Sequence, residues 1–396
     1  MPITKELSDC RVLIVDDVKA NVDMLVEALR GDFKLSVALD GEAALRAVAK
    51  SAPDLLLLDI MMPGIDGYEV CRRLRADAAT RELPIMFLSS LEDVKNKALG
   101  FELGANDYLT KPFEILEVKA RVRSLLKAKA YADAIRAAQE RDLAIAREIQ
   151  MGILPSDLTA LSRGMGLDIH ATIEPARQVG GDLFEVLRVS EDRLVVAVGD
   201  VCGKGIPASL FMAVTVTLLR MLARQLDSPG AILARLNEEL AAQNPRGMFV
   251  TMVCLDLRGG RVTSANAGHH TSLLVGPAGS PKGVLASSGT VLGLFPGRSY
   301  ANETLELGPG DSLVLYTDGV SEATNAASDE FGDERLQACF ADGAGHSAAE
   351  TVDRLLQAVR TFVAGAPQSD DITILAIRRT DAAQEDPAPE RQISRL

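Results

Sequence analysis

The sequence predicts two domains of different build joined by a long helix. Three observations predict this. Residues 9–127 alternate short apolar runs with helical patterns, the pattern of a doubly wound α/β fold on a parallel sheet. Residues 113–152 are rich in Ala, Lys, Arg and Glu and lack Pro, so they read as one long helix or two that abut. Residues 166–380 change to β-rich runs separated by Gly turns, an α+β pattern.

The elements follow in order. "VLIVDD" (12–17), "LLLLD" (55–59), "IMFLSS" (85–90) and "DYLTKP" (107–112) read as strands. The unbroken "LLLL" suits a central parallel strand buried on both faces. "ANVDMLVEALR", "EAALRAVAKS", "YEVCRRLRAD" and "LEDVKNKALGFEL" read as the helices between them. In the linker, Tyr131, Ile135, Ala138, Ile145 and Ile149 follow a 3-4 apolar spacing that Asp142 interrupts, a short coiled-coil signal. Pro155 ends that helix. Beyond it, "RLVVAVGDV", "MFVTMVCLDL", "RVTSANAG", "SLLVG", "SLVLYTDG" and "DITILAIRR" read as strands, with helices near 207–226, 229–242 and 347–364. The polar "DAAQEDPAPERQISRL" reads as a disordered tail. The expected boundaries are 9–127, a helical coiled-coil linker over 128–155, a second domain over 156–380, and the tail over 381–396.

Composition narrows the function. The 396 residues are 47% hydrophobic with no Trp, so cores must be built on Leu, Val, Ile and Ala. A net charge of −13 opposes attraction to a phosphate backbone, and no basic region or helix-turn-helix follows the linker. A nucleic-acid-binding role is therefore not expected. The cysteines are scattered without a C-x-x-C pair, which fits reduced thiols better than disulfides or zinc. The N-terminus lacks an apolar h-region, and no apolar run approaches the ~20 residues of a membrane span. The expectation is a cytoplasmic protein without a membrane segment.

Two acidic constellations carry the chemistry. In the first domain Asp16, Asp17, Asp59, Ser89 and Lys111 all sit at predicted strand ends. Carboxyl ends of parallel strands converge on one crevice. Carboxylates gathered there need a hard cation such as Mg²⁺, and the lysine adds positive charge. Such a site can accept a phosphoryl group on a carboxylate. In the second domain Asp182, Asp200, Asp318 and the pair Asp370 and Asp371 each lie beside a strand terminus and small residues. Acids with few histidines favour Mg²⁺ or Mn²⁺ over zinc. "VGDVCGKGIPAS" resembles a nucleotide-binding loop only superficially. Its Gly spacing fails the Walker pattern, and Asp200 would repel a triphosphate. Lys204 is open to two readings, substrate contact or solvation, and "AGHH" around His269 and His270 reads as a structural turn.

"LIVDDVKAN", "PDLLLLDIMMPGIDGYEV", "PIMFLSS" and "ANDYLTKPF" resemble the receiver domain of two-component response regulators. That resemblance implies a five-stranded parallel sheet, Asp59 as phospho-acceptor, and Mg²⁺ held by Asp16, Asp17, Asp59 and the Met61 carbonyl. It also implies that Lys111 and Ser89 contact the phosphoryl group and that Tyr108 is a switch aromatic. Ser89 stands where Thr is commoner.

"AREIQMGILP", "ARQVGGD", "GDVCGKGIPASLFMA", "FVTMVCLDL", "NAGHH", "LGLF", "GDSLVLYTDGVSEATN", "FGDERL" and "SDDITIL" resemble the PPM-type metal-dependent serine/threonine phosphatases, in the SpoIIE/RsbU branch. This implies a β-sandwich flanked by helices and two Mn²⁺ or Mg²⁺ ions. Asp200 would bridge both metals, with the Val201 carbonyl on one, Asp182 on that ion or its waters, and Asp318 and Asp370 on the other. Asp371 is grouped with them, and Arg177 is a candidate for substrate phosphate. The branch usually has Ser or Ala at Cys202 and Asp at Glu185. The combined resemblance implies a response regulator whose phosphorylation by a sensor histidine kinase or phosphotransfer protein controls a phosphatase. It further implies a homodimer through the linker and a phosphoserine substrate, an anti-sigma-factor antagonist of the STAS type in a sigma-factor pathway. The rival is a non-catalytic sigma-factor-binding adaptor. Such an adaptor would be expected to lose the metal-binding aspartates, which this chain retains.

Overall fold

A computed structural model describes residues 6–89, 97–244, 246–279, 281–285, 289–341 and 345–380. The expected tail and the start of the "LEDVKNKALGFEL" helix lie outside the described residues. The chain divides into two compact units, Met1–Asp142 and Leu143–Leu396.

The first unit alternates strand and helix: β1 (Arg11–Val15), α1 (Lys19–Leu29), β2 (Lys34–Ala38), α2 (Gly41–Lys50), β3 (Leu55–Asp59), α3 (Gly67–Ala76), β4 (Ile85–Ser89), α4 (Lys97–Glu102) and β5 (Asp107–Thr110). The strands form one parallel sheet in the order β2-β1-β3-β4-β5. Every residue of β3 is buried, as its unbroken apolar run requires. Asp40 and Asp66 cap α2 and α3 by accepting the Ala43 and Glu69 backbone N–H groups. Strand order reverses between β1 and β3, so the ends of these strands border the crevice where open α/β sheets place their sites.

Helix α5 (Ile115–Ile153) runs unbroken for 39 residues. Val118, Val122 and Leu126 are buried in the first unit's core. Tyr131, Ile135, Ile145 and Ile149 are exposed. The helix that completes the first unit and the linker helix are therefore one element, with no break at 127.

The second unit contains α6 (Leu158–Ser162), β6 (Leu167–Glu174), β7 (Leu183–Arg188), β8 (Leu194–Val201), α7 (Ile206–Ala223), α8 (Pro229–Ala242), β9 (Val250–Arg258), β10 (Arg261–Ala267), β11 (Ser272–Val275) and β12 (Pro281–Leu285). It continues with β13 (Glu303–Glu306), β14 (Ser312–Tyr316), α9 (Asp318–Ser321), α10 (Gly332–Ala338), α11 (Ala348–Val363) and β15 (Ile372–Arg379). Two five-stranded sheets form, β13-β10-β9-β8-β7 and β12-β11-β14-β15-β6. All strand pairs within them are antiparallel. Alternate residues of each strand face opposite sides. Phe184, Val196, Leu255, Leu315 and Leu375 fill the space between the sheets. Val195, Ala197 and Met252 face outward onto α7 and α8, while Val314, Ile374 and Ala376 face α9, α10 and α11. The result is a helix–sheet–sheet–helix sandwich. Helix α7 is long and apolar enough to cross a membrane by length and composition, but Ala208, Met212, Val216 and Leu219 are spent on the core.

Candidate metal centres

In the first unit the carboxylates of Asp16, Asp17 and Asp59 converge, with ligand oxygens within 4.8 Å of one another. Asp16 follows β1 and Asp59 ends β3, so the strand reversal itself brings them together. Asp16 and Asp59 are buried, whereas Asp17 is exposed. Lys111, just past β5, places Nζ 2.8 Å from Asp16 Oδ2 and 2.8 Å from Asp59 Oδ1. Asp16 also accepts hydrogen bonds from the Val18 N–H and the Asn21 amide. Burial pushes the Asp59 carboxyl above its usual range, and Lys111 opposes that rise. Burial likewise works against the Lys111 charge, but hydrogen bonds to Asp16 and Asp59 hold the ammonium above the ordinary lysine value. Ser89 ends β4, and its buried hydroxyl has no hydrogen-bond partner among the described residues. Its carbonyl accepts the Lys111 N–H at 2.7 Å, tying two of the expected site residues together. Tyr108 is buried with its ring 5.3 Å from that of Phe87 and 5.2 Å from that of Phe101. Met61 is exposed, two residues beyond Asp59. Gly67 is required where α3 begins, because a Cβ there would lie 2.3 Å from the Asp59 carbonyl. The all-oxygen donor set fits a hard divalent cation.

The second site draws on both sheets of the sandwich. Asp182 immediately precedes β7 and Asp200 lies near the end of β8. Asp318 opens α9 directly after β14, and Asp370 stands just before β15. Asp182 is buried, and its Oδ2 accepts from the hydroxyls of Thr317 (2.8 Å) and Thr373 (2.6 Å). Burial, with Asp318 and Asp370 nearby, pushes Asp200 up to about 7. Burial beside Asp200 holds Asp182 well above the carboxylate range, and burial beside Asp370 raises Asp318. These shifts are the electrostatic signature of carboxylates crowded without a compensating cation. A Cβ at Gly181 would lie 2.6 Å from the Val201 carbonyl, so this glycine lets the two strand ends approach. Lys204 resolves to an ion pair: its Nζ is 2.8 Å from Asp370 Oδ2 and 2.5 Å from the Ser369 carbonyl. Oxygen donors dominate, which fits Mg²⁺ or Mn²⁺.

Asp371 is placed differently from its neighbour. Its Oδ1 accepts the Ala176 N–H (2.8 Å) and its Oδ2 the Gly181 N–H (2.7 Å). Both oxygens therefore brace the loop that leads into Asp182. Arg177 is exposed on that loop. His269 is buried, with Nδ1 2.9 Å from the Thr251 hydroxyl and Nε2 3.1 Å from the Tyr316 carbonyl. A carbonyl only accepts, so Nε2 carries the proton and Nδ1 accepts from Thr251. Burial pushes this imidazole down to about 3, keeping it neutral. It holds the strand end before Thr317 and Asp318. His270, Asp318 and Glu322 also bring ligand atoms within 4.8 Å of one another. Sequence reasoning missed Thr317, Thr373, Glu322 and Gln150. The two threonines adjoin or lie close to quoted acids in "YTDG" and "SDDIT", a signal that was available.

A lysine-bridged aspartate cluster at the switch point of a parallel sheet defines a receiver, and a helix-flanked double sheet with aspartates converging from both sheets defines a PP2C-like domain. The family model for the response regulator receiver domain matches residues 12–123, and that for stage II sporulation protein E (SpoIIE) matches residues 190–380. The first unit thus carries a response regulator receiver domain and the second a SpoIIE-type domain. It is similar to response regulator PleD of Caulobacter vibrioides, 43% identical over 127 residues, covering 32% of this chain and 28% of PleD. It is also similar to protein IcfG of Synechocystis, 29% identical over 263 residues, covering 59% of this chain and 40% of IcfG. The chain thus spans less than half the length of either relative. The SiaA-PP2C domain of Pseudomonas aeruginosa shares the fold, with a TM-score of 0.56 and 21% identity over 62% of this chain and 98% of that one.

Proposed function

We propose that the protein is a response regulator in which phosphorylation of Asp59 controls a metal-dependent phosphoserine/phosphothreonine protein phosphatase. The observation that carries this is the convergence of Asp182, Asp200, Asp318 and Asp370 from two sheets, with burial and mutual repulsion raising Asp182, Asp200 and Asp318. Asp182, Asp200, Asp318, Asp370 and the Val201 carbonyl would hold two Mn²⁺ or Mg²⁺ ions. When bound, such ions lower the pKa of water and polarise phosphoryl oxygens. Asp182 is fixed by Thr317 and Thr373, and Asp318 by the strand end that His269 holds. Arg177, exposed at the rim, is the candidate for the substrate phosphate. At the receiver, a sensor histidine kinase or phosphotransfer protein would pass the phosphoryl group from its phosphohistidine to an Asp59 carboxylate oxygen, the P–N bond breaking and the imidazole leaving as the P–O bond forms. Asp16, Asp17 and the Met61 carbonyl would hold Mg²⁺ there. Lys111 and the Ser89 hydroxyl would contact the phosphoryl group, and Tyr108 is the candidate switch aromatic.

The substrate we favour is a phosphoserine-bearing anti-sigma-factor antagonist of the STAS type. The exposed Tyr131, Ile135, Ile145 and Ile149 on α5 support a homodimer through the linker, in the cytoplasm. The test is Mn²⁺-dependent dephosphorylation of a phosphoserine protein by wild type, Asp200→Ala and Asp59→Ala, with and without a phosphodonor. Turnover lost in Asp200→Ala and unresponsive to phosphodonor in Asp59→Ala supports the reading. No metal-dependent turnover by wild type in either condition would favour the adaptor.

A further inference from the structure

We propose that Gln150, on the last turn of α5, is the positioning residue for the metal ligand Asp182, so that the end of the linker helix is part of the second metal centre. The proposal rests on the phosphatase reading above.

Gln150 is unlike its surroundings. Its neighbours Ile149 and Met151 are 62% and 36% exposed, yet Gln150 is 5% exposed. Its amide bonds the same residue through both of its polar atoms. Nε2 donates to the Gly180 carbonyl at 2.8 Å, and the Gly180 N–H donates to Oε1 at 3.2 Å. The side chain thereby stands in for a strand partner, exchanging a donor and an acceptor as a ladder pair does. A buried amide that only filled space would cost free energy relative to an apolar side chain of the same size. Here every polar atom of the amide is directed at one backbone position.

That position is two residues before Asp182. Gly180 and Gly181 are gripped from the other side by Asp371. Its Oδ2 accepts the Gly181 N–H at 2.7 Å, and a Cβ at Gly180 would lie 2.0 Å from that oxygen. The approach to Asp182 therefore runs between Gln150 and Asp371, and Thr317 and Thr373 lock the carboxylate at its end. A second tie follows Asp182. Arg220 on α7 pairs with the buried Glu185 of β7 at 2.7 Å, and its Nη2 donates to the Ile153 carbonyl at 2.5 Å. Ile153 is the last residue of α5, where carbonyls lack intrahelical partners. The helix end is thus held on both sides of Asp182: directly at residue 180, and through Arg220 at residue 185. A rotation or shift of α5 would reach the ligand through these bonds.

The experiment uses the full chain as Gln150→Glu, which keeps the length but loses the donor, and as Gln150→Met, which keeps the bulk but loses both bonds. Mn²⁺ binding is measured by calorimetry and by electron paramagnetic resonance of the free ion. The Asp200→Asn chain isolates the second centre from the receiver. Thermal melting and Asp59 phosphorylation by acetyl phosphate serve as structural controls. We expect Mn²⁺ affinity at the second centre to fall ~10–100-fold in both variants. Receiver phosphorylation should stay at the wild-type rate, and kcat should recover at saturating Mn²⁺. Wild-type affinity in Gln150→Met, whether or not its melting temperature drops, would overturn the proposal and leave Gln150 as packing only. If Gln150→Glu does not fold, Gln150→Met alone decides. If wild type binds no more Mn²⁺ than Asp200→Asn, the phosphatase reading itself fails, and this inference falls with it.

Discussion

The two acidic sites solve the same electrostatic problem in different ways. In the first unit Asp16 and Asp59 share an internal cation, because Lys111 lies 2.8 Å from each. Among the described residues of the second unit, Asp182 and Asp200 have no such partner. Lys204 pairs with Asp370 and sits at an exposed rim. The receiver site sets one lysine against three carboxylates, so its charge is partly compensated before anything binds. The second centre gathers carboxylates from two sheets, so a bound cation would favour their ionised forms. The comparison predicts that metal and charge changes act strongly on the second site and more gently on the first.

The largest effect should come from the shared ligand. Asp200→Ala is expected to lower Mn²⁺-dependent turnover at least ~10²-fold, the range for losing a principal electrostatic element of an active site. Asp59→Ala should leave unstimulated turnover intact and remove only the response to phosphodonor. Equal losses in both variants, measured as kcat on one phosphoprotein, would erase the distinction between the sites.

Metal removal comes next, and its sign depends on pH. Asp200 rises from 3.8 to about 7 in the folded chain. A carboxyl raised in this way gives stability that is present below the unfolded value and lost as pH rises through the folded one. The chelated protein should therefore melt at lower temperature at pH 8 than at pH 5.5. With Mn²⁺ present the drop should vanish, because the cation favours the ionised form. Melting curves of wild type and Asp200→Asn in chelator test this; the variant should show a weaker pH dependence.

How far these sites could be read from the chain depends on how each residue meets its partners. Asp16, Asp59, Lys111, Asp200 and Asp318 were legible because a charge that closes an apolar run marks the end of a buried strand. β2 was not, because "KLSVA" is a short, mostly exposed edge strand whose alternation spans too few residues to stand out. Asp370 and Asp371 look equivalent in sequence, yet consecutive residues of an extended chain point to opposite sides, and only Asp371 braces the Gly181 loop. Gln150 was hidden more deeply. On a helix of charged residues a glutamine looks solvated, and its partner Gly180 lies 30 positions away. Periodicity reports where apolar side chains go and carries no record of a polar side chain that pairs with backbone.

A smaller effect is expected when the receiver loses its internal cation. Lys111→Met leaves Asp16 and Asp59 facing each other unpaired. Breaking a buried pair costs about 3–5 kcal/mol, and partial exposure of Lys111 reduces this to about 1–3 kcal/mol. Mg²⁺ should recover part of the loss, which urea unfolding with and without Mg²⁺ measures. No change in the midpoint would mean the triad is already neutralised in another way.

The smallest effect sharpens the contrast most. Lys204 places its ammonium 2.8 Å from Asp370 Oδ2, on an oxygen that a divalent cation would also need. The two cations compete for one carboxylate, so removing the lysine should strengthen metal binding. Both partners are about one-third exposed, which screens their attraction and limits the gain. Lys204→Ala is therefore expected to tighten Mn²⁺ binding by only a few-fold, roughly the reach of an exposed ion pair. The opposite outcome, weaker Mn²⁺ binding in Lys204→Ala, would show that the lysine holds Asp370 in place for the metal. The rim of the second centre would then resemble the receiver, where a lysine organises its aspartates.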